Sequence, residues 1–374
     1  MNVRRNKLAG WIAFQSAAAS PKGSHEITEM RAYPLREPAS GRSYTVISLR
    51  TNSGLTGWGE AGRVSAPDLD KARAIVLGRP ATAYGVTKTA TPLDAAIHAA
   101  MLDITGKSCS SPVYRLLGGP TRFKARALTA LYGATDAQLS ASMAAGIKAG
   151  YRAFEVPLPA FTGRNQGQAF DKAVRGRMDA LRSAAPGNVD FVLRGAGALM
   201  AGDAASVAAS LERFHLLWFD EPCAVTNLLT IRKIAEETVT PLGFGRDIRE
   251  PSTFQDLLRA GFVDILRPNL QMEGIPGIRR IATMAETYYV AIAPHHDGGP
   301  IATAAALHLA ASLPNFFIQQ IPWPADERDR RMRSELISQP VETVQDGFAA
   351  LPSGTGLGIE VNESALEKYK ETAA

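Results

Sequence analysis

Apolar runs that end in a polar residue recur along the second half of the chain at a nearly constant distance. The polar ends are Arg194, Asp220, Arg246, Asn269, His295 and Gln320. Subtracting successive numbers gives gaps of 26, 26, 23, 26 and 25 residues, about the length of one strand–loop–helix–loop unit. The pattern predicts a (β/α) barrel. Because the carboxyl ends of its strands meet at one face, we expect these side chains to ring the barrel mouth.

The first third of the chain has a different pattern. Residues 26–35 alternate apolar and polar positions, residues 44–50 are rich in β-branched side chains, and residues 55–60 follow a turn, which predicts an antiparallel meander. Helical periodicity follows at residues 67–77 and 92–105. We therefore predict an α+β domain over residues 26–124, a barrel over 125–340, and a C-terminal segment, 341–374, that packs back on the first domain.

Residues 1–25 permit two interpretations. Arg4 and Arg5 precede an apolar stretch at residues 8–14 and small residues at 17–20, which is the order of an export signal. The apolar part is short and stops at Gln15, and Lys7 fits a twin-arginine motif poorly, so a tail without an export role is the alternative. Without export we expect a cytoplasmic location.

Composition excludes several classes of function. The 374 residues include 41 basic and 36 acidic side chains, a net charge of +5 without a dense basic run, so nucleic-acid binding is not indicated. No run is long enough to span a membrane. Cys109 and Cys223 have no metal-ligand spacing and suggest no disulfide framework. The expected partner is a small molecule.

Several short motifs then occur in a fixed order. They are GLTGWGE at residues 54–60, the helical stretch from Asp94 to Gly119, WFDEP at 218–222, APH at 293–295, DG at 346–347 and GLG at 356–358. Together they resemble the mandelate racemase/muconate-lactonizing branch of the enolase superfamily, from about Glu26 onward. The resemblance implies a TIM-type barrel with an α+β N-terminal capping domain, and a homo-oligomer.

The resemblance also implies a chemistry. Members of this branch abstract the proton next to a carboxylate and stabilise the enediolate with Mg²⁺. Three acidic ligands lie at the ends of barrel strands three to five. Bases lie on strand two, as a Lys-x-Lys motif, and on strands six and seven, as an Asp–His pair.

This chain departs from that pattern at most positions. Among the metal positions only Asp220 is acidic, because Arg194 and Arg246 replace the other two ligands. Glu155 and Pro157 stand at the lysine positions. The strand-six Asp is Asn269, and Gln320 replaces a Glu that is common on the last strand. Since guanidinium offers only hydrogen-bond donors, no Mg²⁺ is expected.

Two hypotheses about the arginines follow from charge. Arg194 and Arg246 flank Asp220 in the predicted ring. In one hypothesis they replace the positive charge of the metal and bind a substrate carboxylate. In the other they only fill the metal cavity with a buried salt-bridge network. The candidate bases are His295, with its ring held by Asn269, and Glu155. The candidate substrate-binding residues are Arg194, Arg246, Asn269, Gln320 and His296.

The predicted function follows from these departures. We expect a remodelled lyase or isomerase of hydroxy acids or sugar acids, with metal-independent or weak activity on a small carboxylate substrate. The alternative is a non-catalytic binding protein on the same fold.

Overall fold

The computed structural model describes residues 25–161 and 167–371, and the proposed export segment lies outside this range. Three strands, β1 (Ile27–Arg36), β2 (Ser43–Thr51) and β3 (Thr56–Ala61), form the predicted antiparallel meander. Helices α1 (Ala66–Val76), α2 (Asp94–Ser108) and α3 (Val113–Leu116) complete this domain. Gly57 and Gly59 let β3 approach α2, because a Cβ at either position would lie about 2 Å from a backbone oxygen of α2.

The (β/α) barrel follows, as predicted. Its eight parallel strands are β4 (Lys124–Ala130), β5 (Ala153–Pro157), β6 (Asp190–Arg194), β7 (Trp218–Asp220), β8 (Leu242–Phe244), β9 (Ile265–Leu266), β10 (Ala291–Ile292) and β11 (Gln319–Gln320). Neighbouring strands pair in chain order, β11 returns to β4, and a parallel bridge between Ile292 and Phe316 closes the ring. The intervening helices are α4 (Asp136–Lys148), α5 (Gly167–Ala184), α6 (Ala201–Ser210), α7 (Leu228–Glu236), α8 (Pro251–Ala260), α9 (Leu270–Glu286), α10 (Pro300–Ala310) and α11 (Glu327–Leu336).

The C-terminal segment contacts both domains. Strands β12 (Val344–Gln345) and β13 (Phe348–Ala350) form a hairpin whose second strand pairs antiparallel with β4 of the barrel. Beyond it, Leu357 N–H donates to the Asp103 carboxylate on α2, and Glu371 N–H donates to Pro34 O on β1. Helix α12 (Glu363–Lys368) lies between these contacts. The hairpin therefore extends the wall of the barrel, and the residues that follow it pack on the first domain.

An apolar layer fills the barrel below its mouth. Its buried members lie on, or directly beside, seven of the barrel strands: Leu128, Ala153, Val192, Trp218, Ile265, Ala293 and Ile318. The indole of Trp218 is accommodated by Gly243 on the neighbouring strand, where a Cβ would lie 2.4 Å from Trp218 Cδ1. Because side chains alternate along a strand, the residue two positions after each member also faces inward, nearer the mouth. That next layer contains the polar side chains of the site.

No helix among the described residues has both the length and the apolar character needed to cross a bilayer.

Candidate functional site

Asp220, at the end of β7, is the centre of a buried ionic network in the barrel. Its Oδ1 accepts from Arg267 Nε at 2.9 Å and from the Trp218 indole at 2.7 Å, and its Oδ2 accepts from Arg246 Nη1 at 2.8 Å. Asp220 and Arg267 have no exposed surface, and Arg246 is almost fully buried. Both carboxylate oxygens of Asp220 are therefore occupied by donors.

Glu155, at the level of Asp220 on β5, connects the same arginines. Its Oε2 accepts from Arg246 Nη1 at 2.7 Å and lies 3.5 Å from Arg267 Nη2. Arg267 also donates to Gln320 Oε1 at 2.7 Å and to Ala293 O at 2.8 Å. Glu155 and Gln320, which the sequence suggested as base and substrate ligand, are thus both hydrogen-bonded to guanidinium groups.

Arg194 occupies a different place from the one expected. It lies 3.6 Å from Glu155 Oε1 with 43% of its side chain exposed, and Arg267 is the second guanidinium on Asp220. Arg194 is thus paired in register with Asp220 on the neighbouring strand, but of the two expected arginines only Arg246 bonds to Asp220. Arg194 sits at the rim of the mouth, within reach of a ligand from solvent.

Mutual charge stabilisation fixes the protonation of the network. Burial acts to raise the pKa of Asp220, but the charges of Arg267 and Arg246 lower it to about 2. Burial likewise acts to lower the pKa of Arg246, but Glu155 and Asp220 raise it above its usual value. For the fully buried Arg267, burial and the charge of Arg246 lower the pKa by more than Asp220 and Glu155 raise it. The pKa of Arg267 therefore falls below the usual value. Asp220 is ionised at neutral pH, and arginines remain protonated in proteins.

Glu221 adopts a left-handed backbone conformation, with φ of 45°, that turns its side chain away from Asp220. Its Oε1 accepts the N–H groups of Gly245 and Arg246 at 2.6 and 2.8 Å. Burial, and then the charge of Asp220, raise the pKa of Glu221 to about 7. Glu221 therefore positions the backbone that carries Arg246 and does not join the network.

His295 follows β10, and its ring lies at the mouth. Burial and the charge of Arg246 lower its pKa, so the imidazole is neutral at pH 7. Asp297 Oδ2 lies 3.3 Å from His295 Nε2. Asn269 was expected to hold this ring, but its side-chain oxygen accepts Gln271 N–H at 2.9 Å and caps helix α9. In the structure, Asp297 is the polar group next to the imidazole.

His296 is completely buried beside His295. Burial, His295 and Arg333 lower its pKa to about 3. Neither of its ring nitrogens has a hydrogen-bond partner among the described residues. It is therefore a neutral imidazole with unused hydrogen-bonding capacity.

The side chains at the metal positions do not fit Mg²⁺. This ion requires an octahedral shell of oxygen ligands, whereas positions 194 and 246 present guanidinium donors and both Asp220 oxygens already accept hydrogen bonds. In the described part of the chain no three His, Cys, Asp or Glu side chains form a metal-binding group. The positive charge at this level of the barrel belongs to Arg246 and Arg267.

Sequence reasoning missed Arg267 and the contact between Asp297 and His295. The alternation of Val263, Ile265 and Arg267 in the sequence was a signal for Arg267, which lies one residue beyond β9 and two after the inward-facing Ile265. The distance between the ends of successive apolar runs led us to predict Asn269 as the inward-facing residue instead. For Asp297 no comparable signal exists, since its approach to His295 depends on the course of a loop.

Comparisons with known proteins agree on one family. A family profile described as Enolase C-terminal domain-like matches residues 138–365. The D-galactonate dehydratase of Ralstonia pickettii is 30% identical over 356 residues, which cover 87% of this chain and 91% of that protein. The D-xylonate dehydratase of Haloferax volcanii is 26% identical over 291 residues, covering 73% of this chain and 68% of that one.

Solved structures give the same fold. A mandelate racemase/muconate lactonizing enzyme from a Sulfitobacter species superposes with a TM-score of 0.81 at 26% identity, covering 94% of this chain and 96% of its own. A putative galactarate dehydratase from Agrobacterium radiobacter, bound to sodium and L-malate, gives a TM-score of 0.82 at 24% identity, covering 92% and 95%.

Proposed function

Because this chain belongs to the mandelate racemase/muconate-lactonizing branch of the enolase superfamily, we propose that it binds an acid sugar by its carboxylate and transfers a proton at His295 without a divalent cation. The observation that supports this proposal is a neutral, buried imidazole just beyond β10, two residues after Ala293, whose carbonyl oxygen accepts from Arg267. Dehydratase names among the relatives motivate acid sugars as the ligand class.

The carboxylate would bind between Arg194 and Arg246. Arg194 is half-exposed and has only a 3.6 Å contact with Glu155, so its guanidinium is available to a ligand. Arg246 Nη1 bonds to Glu155, which Arg194 also approaches, so both guanidinium groups lie at the same carboxylate. A planar guanidinium matches a carboxylate in a two-point hydrogen bond and donates to the oxygens on which negative charge develops.

His295 would carry the proton. Its neutral ring accepts the proton from the carbon next to the carboxylate, and Asp297, 3.3 Å away, stabilises the resulting imidazolium. In a dehydration the proton then passes to the departing β-hydroxyl, which leaves as water while a carbon–carbon double bond forms. The lowered pKa of His295 makes it a weak base, so we expect slow turnover.

A product assay in EDTA tests this proposal. We expect a 2-oxo-3-deoxy acid to accumulate from D-galactonate or a related aldonate. His295→Asn is expected to lower kcat about 100-fold while retaining binding, because general acid–base catalysis is typically worth at least that factor. His215→Asn, at an exposed histidine of the same chain, is the matched control and should leave turnover unchanged. Turnover that requires Mg²⁺, or that survives His295→Asn, would contradict the proposal.

A second candidate function is carboxylate binding without catalysis. It is favoured by Glu155, which is hydrogen-bonded to Arg246 and close to Arg267 and Arg194, so that the residues of β5 present no free base to a ligand. Calorimetric binding of an aldonate that is lost in Arg194→Gln, together with no product formation by the unaltered protein, would support this function over the first.

A further inference from the structure

A cavity of about 890 Å³ lies where the first domain meets helices α8 and α9 of the barrel, and we call it the α9 cavity. Its apolar lining comes from both domains, with Tyr84 and Leu117 on the first domain and Ile275, Ile281 and Met284 on α9. Pockets that bind small molecules have volumes of about 300–1,000 Å³ and combine apolar walls with a few polar groups. The network around Asp220 lies outside its walls, so the α9 cavity is a separate candidate site.

Two oppositely charged side chains of α9 border this cavity without pairing. An added Cβ at Gly277 would lie 3.0 Å from Glu273 Oε2 and 3.7 Å from Arg280 Nη2, so both charged groups approach the same point. In the described part of the chain neither side chain has a hydrogen-bond or salt-bridge partner. Burial raises the pKa of Glu273 even though the charge of Arg280 lowers it. The residues around the Glu273 carboxylate therefore do not fully compensate its charge.

The two charged side chains lie on opposite sides of a kink in α9. Gly274 has φ of 62° and ψ of 175°, outside the helical region, and an added Cβ there would lie 3.1 Å from Ala95 Cα on α2. The helix therefore bends where it passes the first domain. Beyond the kink, Arg279 Nη2 donates to Leu117 O at 3.0 Å, which ties the second part of α9 to the first domain. A ligand between the two charged groups would bridge both parts of the helix.

The first turn of α9 connects the cavity with His295. Asn269, which caps the helix, forms a parallel bridge with His295, and Leu270 N–H donates to His295 O at 2.8 Å. Glu273 N–H in turn donates to Asn269 O at 2.9 Å. A ligand that holds the Glu273 carboxylate therefore acts on the turn that positions the backbone of His295.

An α-amino acid with an apolar side chain matches these features. It carries an ammonium and a carboxylate on one carbon atom, which complement a carboxylate and a guanidinium that face the same space. Both contacts are charge-assisted hydrogen bonds, and the planar guanidinium matches the ligand carboxylate in two-point geometry. The apolar side chain of the ligand would lie against the wall formed by Leu117, Ile281 and Met284.

We propose that the α9 cavity is an effector site for an α-amino acid with an apolar side chain, whose ammonium binds Glu273 and whose carboxylate binds Arg280. Its occupation acts on His295 through the first turn of α9. This inference goes beyond the proposed function, because binding in the cavity does not require that the protein act on an acid sugar.

Two matched sets of probes test which parts of the ligand are recognised. L-leucine, 4-methylpentanoate and 3-methylbutylamine share one side chain, but the second lacks the ammonium and the third lacks the carboxylate. L-phenylalanine, 3-phenylpropanoate and 2-phenylethylamine form the corresponding aromatic set. Calorimetry on the full-length protein would give the dissociation constants. We expect at least one of the amino acids to bind about tenfold or more tightly than either of its analogues, as one charge-assisted hydrogen bond supplies.

Variants of α9 test the assignment of the charges. Glu273→Gln and Arg280→Gln should each weaken amino-acid binding about tenfold or more, to the level of the analogue that lacks the matching group. Gly277→Ala should also weaken it, because the new Cβ enters the space between the charged groups, whereas alanine favours the helix and the fold should be retained. Glu286→Gln and Arg259→Gln are the matched controls, since both residues are exposed on α9 and α8 outside the cavity. They should leave the affinity unchanged.

The effector role has a readout of its own. In protein with isotope-labelled histidine, the Cε1–H resonance of His295 is assigned from its loss in His295→Asn. This resonance should shift when L-leucine or L-phenylalanine saturates the cavity, and the same concentration should leave it in place in Glu273→Gln. The resonance of the exposed His215 is the internal control and should not move.

Several results would overturn the inference. Equal affinity for an amino acid and its two analogues contradicts the site, as does affinity that is unchanged in Glu273→Gln. Binding without a shift of the His295 resonance contradicts the effector role. Absence of binding by both amino acids overturns the inference as a whole, and self-association that Arg280→Gln abolishes in sedimentation would then assign the cavity to a second copy of the chain. None of these outcomes bears on acid-sugar turnover, which its own assay tests.

Discussion

Replacing Arg267 by methionine tests whether the ionic network holds the barrel together. Methionine retains the apolar stem over Trp218, whose ring lies 5.0 Å from the guanidinium carbon, and removes the charge. The change deletes the 2.9 Å bond to Asp220 and leaves Gln320 Oε1 and Ala293 O without their buried donor. The question is how much of the folding free energy depends on this one side chain.

The expected loss follows from these contacts. Removing one partner of a buried ion pair typically costs about 3–5 kcal/mol. For the loss of the Arg267 charge we take the lower value, because Asp220 remains paired with Arg246 Nη1 at 2.8 Å. Each neutral acceptor left unpaired costs about 1–3 kcal/mol unless water reaches it. We therefore expect Arg267→Met to lower the free energy of unfolding by about 5 kcal/mol, from about 3 for the charge and about 1 for each of the two acceptors.

Urea unfolding followed by circular dichroism measures this loss, together with two companion variants. Arg213→Met removes a 59% exposed arginine paired with Asp179, and should cost less than about 1 kcal/mol. Asp220→Leu combined with Arg267→Met removes both charges, and should cost less than the sum of the single changes. A loss below about 1 kcal/mol for Arg267→Met, or a strictly additive double variant, would refute the reasoning.

Three further predictions concern other parts of the molecule. Gly243→Ala should destabilise the barrel by about 1–3 kcal/mol, as thermal unfolding would register, because the new Cβ would lie 2.4 Å from Trp218. Burial raises the pKa of Glu60 from 4.5 to about 7, so the folded protein retains a proton that the unfolded chain releases, and its stability falls as pH rises through that window, by at most about 3 kcal/mol. Glu60→Gln should therefore reduce the fall of the melting temperature between pH 5 and 7.5, and Glu221, whose pKa is also raised to about 7, should account for part of what remains. Burial raises the pKa of Cys223 to about 11 while Cys109 is exposed, so iodoacetamide at pH 7.5 should modify Cys109 alone, and mass spectrometry of the labelled peptides would reveal an exception.

The fold was predictable because both of its periodicities are local. Residues alternate along β1–β3, and the barrel units repeat at nearly equal distances, so a wrong register would expose apolar residues over many strands. The equal spacing of Arg194, Asp220 and Arg246 follows from the repeat of the barrel units. Each lies at or just beyond the end of a strand of the closed ring.

The detailed pairing of the site was less predictable. Strand β9 has only two residues, and Pro268 follows Arg267, so the spacing of strand ends did not reveal whether Arg267 or Asn269 points inward. The approach of Asp297 to His295 depends on a loop that contacts from the first domain and from α11 hold in place. Glu60 accepts Gly299 N–H and Arg333 donates to Gly298 O in this loop. Contacts between such distant residues leave no periodic trace in the sequence.

The network around Asp220 limits which single substitutions the barrel mouth can accept. Restoring a family ligand by Arg246→Glu alone would place a third carboxylate beside Glu155 and Asp220 and remove one of the two cations that bond to both. Restoring Arg194 alone to Asp would remove the rim cation near Glu155 and still leave Arg246 in the metal cavity. Either single change is therefore expected to lower the stability of the protein. Because the arginines at positions 194 and 246 contact Glu155 and Asp220, acidic residues could replace them without that loss only through concerted changes on several strands.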